Sequence, residues 1–319
     1  MSKAAVDRPN AEGAPPRSFI GRLKESDLIA SFLSSKVTVA AGVITLILLL
    51  AALFAPLIAP TNPFNPATNF LVDSLTPPRF ADGGDPRFLL GTDDQGRDMW
   101  SAILYGLRVS LLIGVFSVLL GGAIGITLGL IAGYAGGWID AVIMRIADVQ
   151  LTFPAILIAL LLDGLAQALL KGANRDETAF GVLVVSIGLS FWVQYARTVR
   201  GSTMVEKNRD YIQAARLIGL SPARILVRHI LPNVMGPVLV IATINLALAI
   251  ITEATLSFLG VGLPPTQPSL GTLIRIGQNF LFSGEWWIVA FPSLTLAILV
   301  LAVNLLGDWL RDALNPRLK

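Results

Sequence analysis

The chain offers few side chains for covalent chemistry. It has 319 residues, no cysteine and a single histidine, His229. That excludes a thiolate nucleophile, a thiolate metal site and a disulfide, and also the helical zinc-protease motif, which needs a pair of histidines one turn apart. A phosphate-binding P-loop needs a lysine followed by serine or threonine. Lys3, Lys24, Lys36, Lys171 and Lys207 are followed by Ala4, Glu25, Val37, Gly172 and Asn208, and Lys319 is the last residue. An ATP-driven process would therefore have to bind its nucleotide on another chain.

What remains is a set of polar residues that could bind or line a path. The stretch Gly91-Thr92-Asp93-Asp94-Gln95-Gly96-Arg97-Asp98 is dense in oxygen atoms. It lacks the spacing and distal glutamate of a calcium loop, which leaves two readings: a cap on the next helix, or a contact to an external protein through residues such as Asp93 and Arg97. Glu253, Asn245 and Asn304 lie inside long apolar runs. Ionisable and amide groups there either face a pathway or a partner, or bond between helices. For Glu253 the interfacial or partner-contact reading is preferred over substrate contact. Arg145 and Asp148, three apart, are expected to pair on one helix.

The elements that hold these residues are membrane helices. Hydrophobic residues make up 54% of the chain and charged ones only 14%, where soluble domains carry roughly 25% charged residues. A spanning helix needs about 20 mostly apolar residues. Six candidates satisfy this, at about 38–59, 110–133, 142–170, 179–198, 234–257 and 286–307. The third carries Pro154 and is expected to kink there. Gly121-Gly122 allows close packing of helices, and Gly136-Gly137 marks a turn. The first 36 residues are polar, with Pro9, Pro15 and Pro16, and read as a partly disordered tail rather than a signal peptide.

Lysine and arginine placement gives the orientation. The tail 1–36, the loop from Arg197 to Pro232 and the C-terminal stretch with Arg311, Arg317 and Lys319 hold most of the basic residues. Six spans place these regions on one face, predicted to be cytoplasmic, so both termini are expected inside. The segment 61–108 then lies outside. The parts are a tail over 1–36 and a membrane domain over 37–319, with a cytoplasmic loop over 204–232.

That loop, KNRDYIQAARLIGLSPARILVRHILP over 207–232, is too polar to span and too regular to be a simple connection. Asn208 or Asp210 is expected to cap a first helix, Gly219 to end it in the left-handed region, Ser221 and Pro222 to start a second, and Pro232 to close that one. Such a hairpin either lies on anionic lipid or docks on a partner through the small residues Ala214, Ala215 and Gly219.

The loop resembles the EAA loop of ABC importer permeases. Ala214, Ala215, Gly219, Leu231 and Pro232 stand at the family's spacing, with Gln213 where glutamate is usual and His229 in place of isoleucine. Phe54-Ala-Pro-Leu-Ile-Ala-Pro60, Leu90–Asp98 with Tyr105–Leu111, Met144–Asp148 with Phe153-Pro154, Leu256–Gly260 with the prolines after it, and Gly307–Asp312 are similar to the dipeptide/oligopeptide, OppC/DppC-like branch. The resemblance spans roughly 37–319. It implies an all-α integral membrane protein with six transmembrane helices, a type I ABC importer (MetI-like) permease fold and a cytoplasmic coupling hairpin formed by Gln213, Ala214, Ala215, Gly219, Leu231 and Pro232.

The resemblance further implies a second homologous permease, two ATP-binding subunits that hold ATP and Mg, an extracytoplasmic solute-binding protein, and a place in the lipid of the bacterial inner membrane. No cofactor is expected in this chain, and nucleic acid is not an expected partner. The function it implies is translocation of di- or oligopeptides by a subunit that is not itself an enzyme. Nickel, glutathione or another small solute is the alternative cargo within the branch. A secondary transporter independent of ATP is the alternative class, and it is disfavoured because mid-span charges are few.

Overall fold

The computed structural model describes residues 27–65, 69–169 and 175–314. The tail 1–26, Lys171 and residues 315–319, with Arg317 and Lys319, lie outside the described residues. The described residues form, in chain order and besides a 3-10 turn at Leu71–Asp73, eleven helices: α1 Asp27–Ser34, α2 Lys36–Leu53, α3 Ala55–Ile58, α4 Met99–Ala135, α5 Gly137–Leu151, α6 Ala155–Leu169, α7 Arg175–Glu206, α8 Asp210–Leu217, α9 Pro222–Phe258, α10 Leu270–Gln278 and α11 Trp287–Ala313. At the end of the predicted tail, residues 27–34 are helical, and Phe32 meets Trp309 of α11 edge to face at 5.1 Å.

α2 starts at Ser35, whose hydroxyl accepts the Thr38 N–H, and breaks at Phe54, ahead of Pro56. Most of its large side chains, among them Leu46, Ile47 and Leu53, are exposed, as expected of a helix that lipid surrounds. α4 is far longer than the predicted 110–133. Its 37 residues extend about 55 Å, well beyond the roughly 30 Å hydrocarbon layer. The extra turns at its start carry Ser101, Tyr105 and Arg108 and were masked by that polarity. Asp98 caps this helix, its Oδ2 accepting the Ser101 N–H at 2.9 Å and the Ser101 hydroxyl at 2.6 Å.

α4 and α7 are joined along a glycine ladder. A Cβ added to Gly121, Gly125, Gly129 or Gly133 would come within 2.7, 2.3, 2.6 or 2.8 Å of the carbonyl oxygen of Gly188, Trp192, Ala196 or Arg200 respectively. Both series advance by four, so the two backbones touch along one face of each helix. Because both numbers rise together, α4 and α7 run parallel.

That direction settles the crossings. The chain leaves α4 at the Gly133 end and must re-enter α7 at the Gly188 end, so the segment between crosses the membrane an odd number of times. It consists of α5 and α6, bent by 95° at the break around Thr152–Pro154. α5 runs back along α7: Asp140 pairs with Arg200, Asp148 with Arg197, and Gln150 reaches the Leu189 carbonyl at 2.8 Å. At the far end of α6, Gln167 meets the Val261 carbonyl at 3.2 Å. The bent pair is therefore one span, giving six with α2, α4, α7, α9 and α11. The predicted Arg145–Asp148 pair does not form. Arg145 is exposed, and the antiparallel neighbour supplies Arg197 instead.

On the face opposite the α8 hairpin, residues 59–65 and 69–98 and the segment 259–286 form a cap. Trp287 donates its indole N–H to the Thr92 carbonyl at 3.0 Å, and Thr61 reaches the Ser101 hydroxyl. α10 sits between α9 and α11, made possible by Gly271, whose added Cβ would lie 2.3 Å from the Ala254 carbonyl, and Gly277, 2.5 Å from the Val289 nitrogen.

Candidate functional site

Among the described residues, the hairpin stands outside both the spans and the cap. α7 ends at Glu206, and the chain turns through Lys207 and Asn208 into α8. Neither predicted capping side chain caps it. Asn208 turns back to the Met204 carbonyl at 3.0 Å, Arg209 occupies the cap position without a side-chain bond, and Asp210 lies in the first turn, where its charge favours the helix N-terminus. The C-terminus matches the reading of Gly219. Gly219 has φ +79 and sends its N–H to the Arg216 carbonyl, and Leu220 sends its own to the Ala215 carbonyl, the paired bonds of a Schellman ending. Ser221 stands before α9 and Pro222 opens it, though Ser221 makes no side-chain cap bond.

Pro232 does not close a second short helix. The helix continues through it from Pro222 to Phe258. Proline lacks the N–H of a helical bond and crowds the carbonyl four residues back. A π turn over Leu226–Ile230, with the Leu231 N–H bonded to the Leu226 carbonyl, widens the helix at that point. The hairpin thus leads directly into a spanning helix through that π turn.

Its base is tied by Tyr211. The phenol donates to Glu206 and accepts the Asn233 amide at 2.9 Å, joining the end of α7 to α9 just past its π turn. Burial first, and the Glu206 carboxylate second, push the Tyr211 phenol above its ordinary pKa, so it remains a proton donor. Ile212 and Ala215 face inward against Leu130 of α4, Val199 of α7 and Ile225 and Ile230 of α9. Ala215, 4% exposed, therefore shares no surface with Gly219. The outward surface is Gln213, Ala214, Gly219 and two large apolar residues, Leu217 at 88% and Ile218 at 76% exposure. Leu231 is partly buried in the same cluster and Pro232 is exposed. Arg209, Arg216, Arg224 and Arg228 are exposed around this tip.

The other singled-out residues are scattered rather than gathered into one site. Glu253 lies wholly inside the chain, which corrects the interfacial reading. It accepts the hydroxyls of Ser110 at 2.7 Å and Ser257 at 2.8 Å. Asn245 is equally enclosed on α9 and faces the Tyr195 phenol of α7, while Asn304 is half-buried on α11. Asp93 and Arg97 form an enclosed ion pair at 2.6 Å. Arg97 also donates to the Pro265 carbonyl at 3.0 Å, and Asp93 accepts the N–H groups of Gln95 and Arg97. They brace the cap from within and present no external surface.

Sequence reasoning missed the ladder partners and the residues that fasten the hairpin to α4. The four-residue spacing of Gly121, Gly125, Gly129 and Gly133 was the available signal for the first.

An all-helical protein of six membrane crossings with such a hairpin is a membrane permease in architecture. The family described as the inner membrane component of binding-protein-dependent transport systems matches residues 125–319, and the N-terminal membrane domain of oligopeptide transport permease C matches residues 26–78. The chain belongs to this permease family. It is 40% identical, over 91% of its own length and 91% of the relative's, to the di/tripeptide transport system permease protein DppC of Pseudomonas aeruginosa. It is 41% identical, over 90% of its length and 89% of the relative's, to the glutathione transport system permease protein GsiD of Pectobacterium atrosepticum. The inward-facing MetNI methionine ABC transporter contains a similarly folded chain, with a TM-score of 0.53 at 20% identity over 68% of this chain and 97% of that one.

Proposed function

We propose that this chain is a membrane subunit of an ABC importer that moves short peptides across the bacterial inner membrane, with both termini in the cytoplasm. The observation that carries the proposal is the hairpin tip: Leu217 and Ile218 stand almost fully exposed on a rigid, Schellman-ended turn outside the spans. Large apolar side chains held in water are costly to leave uncovered, and a ring of arginines argues for a protein groove with acidic edges. The P-loop is missing from the sequence, so two partner subunits would bind ATP and Mg. The assembled complex, not this chain, would hydrolyse ATP. A related second permease and an external solute-binding protein complete the assembly, with transport by alternating access.

The cargo assignment rests on relatives named for dipeptides and tripeptides over nine-tenths of the chain. One relative of equal identity is named for glutathione. Glutathione is itself a tripeptide, so it is the second reading within the same chemical class.

The test is capture of partners from native membranes in mild detergent with Leu217→Glu beside the wild type. Leu217 touches almost nothing in its own chain, so the substitution leaves the fold intact. ATPase chains and a second permease should accompany the wild type, and the ATPases should be lost from the variant. A wild type that purifies alone overturns the importer reading. Uptake of a labelled dipeptide, competed by other dipeptides or by glutathione, then assigns the cargo.

A further inference from the structure

The hairpin is clasped to the end of α4 by three residues, Lys207, Tyr134 and Arg216. α4 ends at Ala135, and the Gly136 N–H takes the Ala132 carbonyl, which leaves the last carbonyls of the helix without helical partners. Lys207, in the neck before α8, donates its ammonium to the Gly133 carbonyl at 2.7 Å and reaches the Tyr134 carbonyl at 3.4 Å. A cation is favoured at that negative helix end. The Arg216 guanidinium of α8 lies over the Tyr134 ring, 5.1 Å from its centroid, within cation–π range. Beside them Arg200 holds Asp140 of the following turn at 2.6 Å, and Ile212 and Ala215 share one buried apolar cluster with Leu130 of α4.

We infer that Lys207, Tyr134 and Arg216 are positioning residues that make the hairpin, α4 and α7 a single moving body during transport. This inference rests on the importer reading above. The clasp fixes the hairpin to the last turn of α4, and the Gly121–Gly133 ladder fixes α4 to α7 backbone against backbone. Close-packed elements shift as units rather than bending smoothly. A push delivered at Leu217 therefore reaches the Gly121–Gly188 contact, several turns into the membrane, without passing through a hinge. The places that can hinge lie off this path, at the Thr152–Pro154 break, at the π turn Leu226–Ile230 ahead of Pro232, at Pro237 of α9 and at Pro292 of α11.

The experiment uses the assembled importer in proteoliposomes. The chain has no cysteine, so with cysteine-free partner subunits the spin labels attach at Val227→Cys on the hairpin and Trp138→Cys beyond the end of α4 alone; both positions are exposed. The expected result is one narrow interlabel distance, unchanged between the nucleotide-free and the vanadate-trapped ATP states. In a Lys207→Met/Tyr134→Leu variant the distance should broaden. ATP consumed per peptide imported should rise by at least about fivefold, the low end of energetic coupling between linked sites, while the ATPases still co-purify. Lys207→Arg, which restores the cation, should behave as wild type.

A wild-type distance that changes on ATP binding overturns the single body, as does a double variant with the wild-type ratio of ATP to peptide. Both outcomes leave the importer reading standing. A wild type that captures no ATPase overturns both.

Discussion

Ser110 of α4 donates its hydroxyl to Glu253 of α9 at 2.7 Å and at the same time accepts the Leu270 N–H, the first of α10, at 3.3 Å. One serine thus joins two spanning helices to the short helix wedged between α9 and α11, and the carboxyl that anchors it is enclosed by its own chain. Removing that carboxyl leaves the Ser110 and Ser257 hydroxyls buried without their acceptor. Glu253→Ala should lower stability by about 1–3 kcal/mol, and Glu253→Gln, which keeps an acceptor oxygen, by clearly less. Thermal unfolding of the detergent-solubilised protein reads both. Equal losses would mean that the size of the side chain matters and its hydrogen bonds do not.

Gly125 is the tightest step of the ladder. Besides the Trp192 carbonyl, an added Cβ would come within 2.5 Å of the Tyr195 Cβ. Gly125→Val should cost about 1–3 kcal/mol or more through forced separation of the helices. Gly201, on the same α7 but with open space around it, is the control. Gly201→Ala should be neutral or stabilising by up to about 1 kcal/mol, because alanine is the better helix former. The melting temperature should therefore fall for Gly125→Val and stay level or rise for Gly201→Ala.

Arg97→Met would leave the Asp93 carboxylate enclosed without its cation and free the Pro265 carbonyl. Breaking one side of a buried pair costs about 3–5 kcal/mol. The damage should appear as faster proteolysis within the cap segment 59–98, while α4 to α11 stay resistant. In the Asp93→Leu/Arg97→Met double variant much of the resistance should return, since no lone charge then remains inside.

Asp94, next along the same loop, has its pKa raised above 3.8, first by burial and then by the neighbouring Asp93 charge. The sign follows from linkage. Below pH 3.8 the carboxyl is protonated whether the chain is folded or unfolded and contributes nothing. As pH rises from 3.8 through the higher folded value, ionisation is easier in the unfolded chain and stability is lost. Asp94→Asn should therefore stabilise the cap at pH 7 and match the wild type near pH 3.5. Unfolding midpoints at the two pH values check it, and a benefit independent of pH would count against the charge.

The spans were legible because lipid imposes a long apolar run on each of them, and the break at Pro154 because proline leaves few alternatives. The glycine turn of the hairpin was equally readable, since φ +79 at Gly219 is cheap for glycine and costly for almost any other residue. Partner choice was not legible. Arg145 stands one turn from Asp148 in sequence, yet Arg197 takes the carboxylate because α5 folds back along α7. The carbonyls of Trp192 and Ala196 that meet the ladder carry no side-chain signature. Pro232 suggested an ending, whereas a π turn let the helix run on. Asp93 and Arg97 read as surface because they sit in a polar loop, and only the folded cap shows that they turn inward.

The ladder also limits where cargo can travel. With the α4 and α7 main chains in van der Waals contact from Gly121 to Gly133, no wetted gap can open between them without parting four successive glycine–carbonyl contacts. A solute must pass along some other flank of this chain. Sequence changes that alter which solutes pass should collect on helices that face away from this seam and be rare along it.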